Sequence, residues 1–257
     1  MPSQTAEQQS EKDPKDLAAR PSGAIAAPAG RGLEQEVDPR DIILPRARLM
    51  QPTTPEVIEQ SVPGARMGAL MNSITKDILP MEFVPIVFFK NWGRFNPRKK
   101  DDPHFDPAHE PGDTIWLSFD RDDPRVVKEA AWGPNGEKPA ATAFLNFLAY
   151  FPGQPMPLIL SFSKTSYKAG KQLLSLATML GGDLFSHKYR ITTETHKNDQ
   201  GTYAVMKVDP AGAASPEEQK AGEAWWAQYG KTITSVRMDD LKPEETAPTG
   251  AEEDIPF

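Results

Sequence analysis

Cationic and aromatic side chains alternate within one short segment, KNWGRFNPRKK, at positions 90–100. Aromatic faces can stack on any nucleobase, while lysine and arginine hold phosphates without reading sequence. This composition predicts a surface for single-stranded nucleic acid, although Asp101 and Asp102 follow at once and weaken the local field. The alternative is that the aromatic residues belong to the core and the cations decorate a loop. The candidate binding residues are Lys90, Trp92, Arg94, Phe95, Arg98, Lys99 and Lys100.

Two further groups of cations and tyrosines follow along the chain. The first would form a cationic ridge if a predicted helix extends back far enough, although an ordinary solvated helix face has the same pattern. It comprises Lys164, Tyr167, Lys168 and Lys171. The second is spread over a predicted hairpin, where neighbouring residues point to opposite faces, so its members cannot all meet one ligand. It comprises Lys188, Arg190, Tyr203 and Lys207.

The C-terminal segment EEDIPF has the composition of a short peptide that docks into a pocket on a partner protein. Phe257 can fill a hydrophobic pocket, and Pro256 restricts the backbone and so lowers the ordering cost of docking. The acids would speed encounter with a basic partner and compete with nucleic acid for the protein's own basic surface. A purely solubilising acidic tail is the alternative. The predicted partner-binding residues are Glu252, Glu253, Asp254, Ile255, Pro256 and Phe257.

This segment resembles the acidic tip, of the DDDIPF type, that ends bacterial single-stranded DNA-binding proteins (SSBs). In that family the tip recruits replication, recombination and repair enzymes. The body of the chain more closely resembles phage or prophage SSB-like proteins, through NSITKDILPMEFVPI and SFSKTSYKAGKQL. The resemblance implies single-stranded DNA and DNA-metabolism enzymes as partners, with homo-oligomer formation as a further possibility.

Enzymatic chemistry finds little support in the sequence. Walker, nucleophile-elbow and HExxH motifs do not occur, and the absence of cysteine excludes disulfides and a thiolate nucleophile. The residues that could hold a divalent ion lie in proline-rich loops without metal-site spacing, so we predict no catalysis, no metal and no cofactor. They are His104, Asp106, His109, Glu110, Asp120, Asp122 and Asp123.

The charge is unevenly distributed along the chain. The formal net charge is −7, which ordinarily argues against a nucleic-acid partner. Residues 239–257, however, hold seven acidic residues against Lys242 alone, whereas residues 41–210 hold 19 acidic and 20 basic ones. The body is therefore near neutral, and the acidic excess lies in a tail.

Composition and periodicity predict an α+β, mainly β fold with one helix between strands and a C-terminal helix. A small OB-like barrel, an SH3-like barrel and an irregular sandwich all fit this pattern, and the resemblance to SSB-like proteins implies the OB-like barrel. Apolar or β-branched runs predict strands within 78–92, 114–119 and 158–163, and the flanks of KNDQ-G predict a hairpin. The helices are predicted at 166–180 and 216–229, and residues 41–51 as a sheet edge or strap. Residues 1–40 and 239–257 are predicted to be disordered.

The binding residues predict a non-catalytic, sequence-independent single-stranded DNA-binding protein. The resemblance to phage SSB-like proteins implies that it acts in phage replication, recombination or repair, in the cytoplasm of a bacterial host. No signal or membrane-spanning pattern is present in the sequence. The alternatives are a strand-annealing or recombination-mediator protein, a metal-dependent nuclease, and a phage scaffold protein that binds no nucleic acid.

Overall fold

The computed structural model describes residues 43–198, 201–231 and 233. The predicted N-terminal arm (1–40) and acidic tail (239–257), with the recognition residues 252–257, lie outside the described residues. Within this part of the chain, no helix combines the length and apolar character needed to span a bilayer.

Eight strands and four helices make up the described fold. The strands are β1 (Arg46–Leu49), β2 (Leu70–Asn72), β3 (Glu82–Phe95), β4 (Thr114–Ser118), β5 (Ala141–Tyr150), β6 (Leu158–Phe162), β7 (His187–Asn198) and β8 (Gly201–Ala213). The helices are α1 (Pro55–Ile58), α2 (Pro124–Glu129), α3 (Tyr167–Leu180) and α4 (Pro216–Tyr229).

Five of the strands follow the order of an OB barrel. β3, β5 and β6 form an antiparallel meander, α3 joins β6 to β7, and β7 pairs with both β3 and β8. The resulting order β6-β5-β3-β7-β8 is that of an OB fold, in which a helix connects the third and fourth strands. The prediction of an α+β, mainly β, OB-like fold is confirmed.

The sheet curls into a half-barrel whose gap is bridged by side chains. β1 lies parallel to β6, in the place where an OB barrel would pair its last strand, and β2 forms the edge beyond it. The amide of Gln51 donates to the Ala204 carbonyl (3.0 Å) and accepts from the Ala204 N–H (2.8 Å), and Ser166 Oγ accepts from the Met206 N–H (3.3 Å). β1 therefore has a neighbouring strand on each side, whereas the sequence predicted that residues 41–51 form a sheet edge or a strap.

The main core fills the inside of this curl. Along β5 the odd-numbered Leu145, Phe147 and Ala149 face it, as the two-residue repeat of a strand requires. α3 closes one end of the core through Leu173, which is fully buried. The helix ends where Gly181 adopts a φ of +70°, a conformation that favours glycine.

Two elements differ from the sequence predictions. Residues 120–139 received no helix or strand from the sequence, but they contain α2, whose N-cap Asp123 accepts a hydrogen bond from the Arg125 N–H. Residues 140–151, apolar but unassigned from sequence, form β5 at the centre of the sheet. The predicted helix at 216–229 is confirmed and begins with a capping box between Ser215 and Glu218.

Candidate nucleic-acid interface

The register of the sheet brings Lys90 to the face on which α3 lies. Lys90 of β3 pairs with Leu145 of β5, which pairs with Phe162 of β6, so the three share one row. Gly170 of α3 packs directly on this row: a Cβ there would lie 2.7 Å from Phe162 Cβ and 3.0 Å from Leu145 Cδ1. The absence of a side chain at Gly170 thus lets the first turns of α3, with Lys168 and Lys171, lie on the same face of the sheet as Lys90.

The two aromatic residues of segment 90–100 are not open platforms. Trp92 is 8% exposed and packs with Trp116 and Val126 in a small core beside β4 and α2. Lys90 Nζ lies 4.7 Å from the centre of the Trp92 ring, so its charge partly covers the remaining indole surface. Phe95 is half-buried, with its ring edge-to-face against Phe144 at 5.8 Å. The prediction that Trp92 stacks on bases therefore conflicts with its burial.

The guanidinium of Arg94 connects β3 to neighbouring parts of the fold. It lies 3.4 Å from the Glu129 carboxylate and donates to the His104 carbonyl at 3.3 Å. Trp116 Nε1 donates to the same carboxylate at 3.1 Å. Arg94 therefore joins β3 to α2 and to the loop that follows β3.

Four of the predicted lysines are exposed and, within the described part of the chain, have no carboxylate within 4 Å. Two follow β3 in the loop that also holds the exposed Arg98, and two lie on the first turns of α3. We call Lys99, Lys100, Lys168 and Lys171 the open lysines. Tyr167 packs partly buried against the main core, and Lys164 is half-buried in a single 3₁₀ turn before α3.

The cations of the hairpin group are instead neutralised by nearby acids. Arg190 pairs with Glu82, Lys207 with Glu194, and Lys188 lies 3.6 Å from Glu218. Hydrogen bonds from Arg190 and Lys207 hold the pKa of the Glu82 and Glu194 carboxyls below their usual values, so both acids are charged at neutral pH. We call Lys188, Arg190 and Lys207 the paired cations.

The fourth member of the hairpin group, Tyr203, is 4% exposed, with its ring 5.8 Å from that of His196. Its burial conflicts with the prediction that it contacts DNA.

The face that OB folds commonly use for oligonucleotides is covered in this chain. That face is the outer side of the second and third barrel strands, here β5 and β6. Leu148 and Ile159 on that side lie in one buried apolar cluster with Tyr229, the last residue of α4, and with Ile233 beyond it, which are 1% and 3% exposed. The sequence did not predict this cover, because the weak amphipathic pattern of α4 does not indicate which surface it contacts.

A buried polar row crosses the same outer face. Asn146 Nδ2 donates to Asn91 Oδ1 at 2.6 Å, and Ser161 Oγ donates to Asn146 Oδ1 at 2.7 Å. Arg46 Nη2 extends the row to Ser161 at 3.4 Å. Asn91 and Asn146 are both 0% exposed, so the row pins the register of β1, β6, β5 and β3.

Three exposed aromatic residues, Phe88, Trp132 and Trp226, were not among the residues predicted from sequence. Phe88 is 37% exposed and lies on the same strand face as Lys90, with its ring 5.2 Å from that of Phe147. Trp132 is 50% exposed in the segment after α2. The sequence did contain one indication that Trp132 is exposed, because this large aromatic side chain lies in a polar stretch rich in glycine and proline, AAWGPNGEK.

The acidic residues considered for a metal site make local contacts instead. Asp123 caps α2 and pairs with Arg125 at 2.7 Å, and this hydrogen bond lowers the pKa of Asp123. Asp106 accepts from the Ala108 N–H and lies 3.3 Å from His109 Nδ1. In the described ranges, no three histidine or acidic residues are grouped so as to hold a metal ion.

Comparison with known proteins gives one assignment. No curated protein and no solved structure matches the chain. A family model described as Pam3 phage gp34-like protein matches residues 15–234, a range that includes every described strand and helix. The chain therefore belongs to the Pam3 phage gp34-like protein family.

Proposed function

We propose that this chain is a sequence-independent single-stranded DNA-binding protein that acts in phage DNA replication, recombination or repair. The observation that carries the proposal is the set of open lysines, placed at the end of β3 and on the first turns of α3 in an OB-like half-barrel. Lysines that form no salt bridge are free to contact phosphates, and release of counterions then drives binding.

The fold supports a single strand as the ligand. OB folds hold oligonucleotides partly through the loop between their first two strands, which here is the long segment between β3 and β5. This segment carries Lys99, Lys100 and the exposed Trp132. A single strand offers unstacked bases to such a surface, whereas a duplex offers only backbone and groove edges.

The test is a titration of the full chain with fluorescently labelled oligo-dT over a series of salt concentrations. We expect binding that weakens steeply as salt rises, and weaker binding to a duplex of equal length. Equal affinity for single strand and duplex, or no binding at low salt, would contradict the proposal. The same titration with magnesium or manganese checks the nuclease alternative, which requires the oligonucleotide to be degraded.

We further propose that residues 252–257 recruit DNA-metabolism enzymes, as their resemblance to the SSB tip implies. Removing these six residues is expected to leave oligo-dT affinity unchanged or raised, because six residues with three acids and no cation are lost. The measurement is the same titration on the shortened chain, alongside a pull-down of purified replication and repair enzymes from the host. Loss of oligo-dT binding in the shortened chain would overturn this division of roles.

A further inference from the structure

The five tryptophans differ sharply in exposure. Trp92 and Trp116 are each 8% exposed, and Trp225 is half-buried with its ring stacked on Tyr229. Trp132 and Trp226 are 50% and 51% exposed. An exposed indole face can stack on a nucleobase, so the surroundings of Trp132 and Trp226 decide which of the two is better placed to do so.

The backbone on both sides of Trp132 is fixed. On the N-terminal side, α2 is anchored by the buried Val126 and by Glu129, which accepts from Trp116 Nε1 and Arg94. On the C-terminal side, a turn is closed by a 2.9 Å hydrogen bond from the Gly133 N–H to the Glu137 carbonyl. Trp132 is therefore presented on a rigid support, and stacking on it would cost little ordering entropy.

Exposed side chains of both charges lie near Trp132 along the chain. Lys128 and Lys138 are exposed four residues before and six residues after it, and the Glu137 carboxylate lies against Gly133. His104 Nε2 contacts the Lys138 carbonyl at 3.1 Å, which ties the turn after Trp132 to the loop that carries Lys99 and Lys100. Trp226, in contrast, lies on α4, outside the segment between β3 and β5. Trp132 therefore belongs to the loop that OB folds use to hold oligonucleotides, and Trp226 does not.

We propose that Trp132 is the principal base-stacking residue for single-stranded DNA, and that the strand passes Lys128 and the loop with Lys99 and Lys100. This inference rests on the proposed function. The sequence predicted Trp92 as a base-stacking residue, but Trp92 is buried in the core, whereas Trp132 has an exposed face. Its rigid support lets it stack on any base, as sequence-independent binding requires.

The test compares Trp132→Ala, Trp132→Phe and Trp226→Ala in binding labelled oligo-dT, followed by anisotropy. We expect Trp132→Ala to weaken binding by roughly 5- to 150-fold, the range for losing one stacked base. Trp132→Phe retains most of the affinity, because phenylalanine also stacks, and Trp226→Ala leaves affinity unchanged. Wild-type affinity in Trp132→Ala would overturn the assignment.

Intrinsic fluorescence separates stacking from a folding defect. Oligo-dT is expected to quench the wild-type emission, and Trp132→Phe should lose most of this quenching while it still binds. Retention of the full quenching in Trp132→Phe would contradict the assignment. If wild-type protein fails to bind oligo-dT at low salt, the proposed function itself fails; if it binds but the Trp132 variants match it, only the role of Trp132 fails.

Discussion

The open lysines and the paired cations have the same chemistry in the sequence and different surroundings in the fold. Each paired cation lies within 4 Å of a glutamate, so the negative charge of the glutamate largely cancels the electrostatic field of the cation. No carboxylate lies that close to an open lysine within the described residues. A count of basic residues along a segment therefore does not locate a phosphate-binding surface.

The difference arises from the elements that carry the two sets. Arg190 of β7 lies directly opposite Glu82 of β3, and Lys207 lies diagonally across the hairpin from Glu194, so strand pairing itself brings acid and base together. α3 contains no acidic residue that could pair with Lys168 or Lys171. The fold therefore pairs the hairpin cations with acids and leaves Lys168 and Lys171 without an acidic neighbour on their own helix.

The largest effect is expected from removing the open lysines together, in the variant Lys99→Ala/Lys100→Ala/Lys168→Ala/Lys171→Ala. Each phosphate contact on a single strand contributes about 0.7 to the slope of log affinity against log salt. We expect the slope to fall by roughly 3, and oligo-dT affinity at low salt to fall with it. The measurement is the salt series on wild type and variant. All four side chains are exposed, so we expect the same melting temperature, which serves as the control for folding.

A smaller effect is expected from removing the paired cations, in the variant Lys188→Ala/Arg190→Ala/Lys207→Ala. Because their partner acids already neutralise them, we expect a slope within about 0.5 of the wild-type value, less than one phosphate contact. This variant is the matched control for the quadruple one. If it reduced the slope as much as the quadruple variant, the distinction between the two sets would be wrong.

The smallest effect is expected from neutralising the acids that pair with two of the paired cations. In Glu82→Gln/Glu194→Gln, Arg190 and Lys207 lose their charged partners and become available to phosphates. We expect a modest gain in oligo-dT affinity, up to a few-fold, that disappears at high salt. A loss of affinity at unchanged melting temperature would show that these carboxylates contribute to binding directly.

Local signals in the sequence predicted several elements correctly. The helices predicted at 166–180 and 216–229 are observed as α3 and α4. Ser215 and Glu218 cap the start of α4 and Gly181 ends α3, and such capping depends only on residues within one turn of each other. The β7–β8 hairpin was likewise predicted from its strand-forming flanks. α2 was missed because its six residues are too few to show a periodic pattern, and its stability comes from Val126 and Glu129 packing against β3 and β4.

The candidate site was predicted less completely than the fold. Segment 90–100 supplied Lys99 and Lys100, which are exposed, but also Trp92, which is in the core, and Arg94, which is bound to Glu129. Sequence shows which residue types are present, but not which side of a strand another element covers. The partner of Arg94 lies 35 positions away, and no local pattern links the two.

The sequence by itself determined the inventory of the protein: cations interleaved with aromatic residues, an acidic terminal segment, no cysteine, and a mainly β body with a helix between strands. The tertiary structure alone decided which of these groups meet water. In the fold, Trp92 is buried and Trp132 is exposed. Leu148 and Ile159, on the outer face of β5 and β6, are buried in a cluster with Tyr229 and Ile233. The paired cations lie beside glutamates, whereas the open lysines, in the described part of the chain, do not. The physical reason is that burial and charge pairing depend on contacts between residues far apart in the chain, whereas helix ends and turns depend on neighbours.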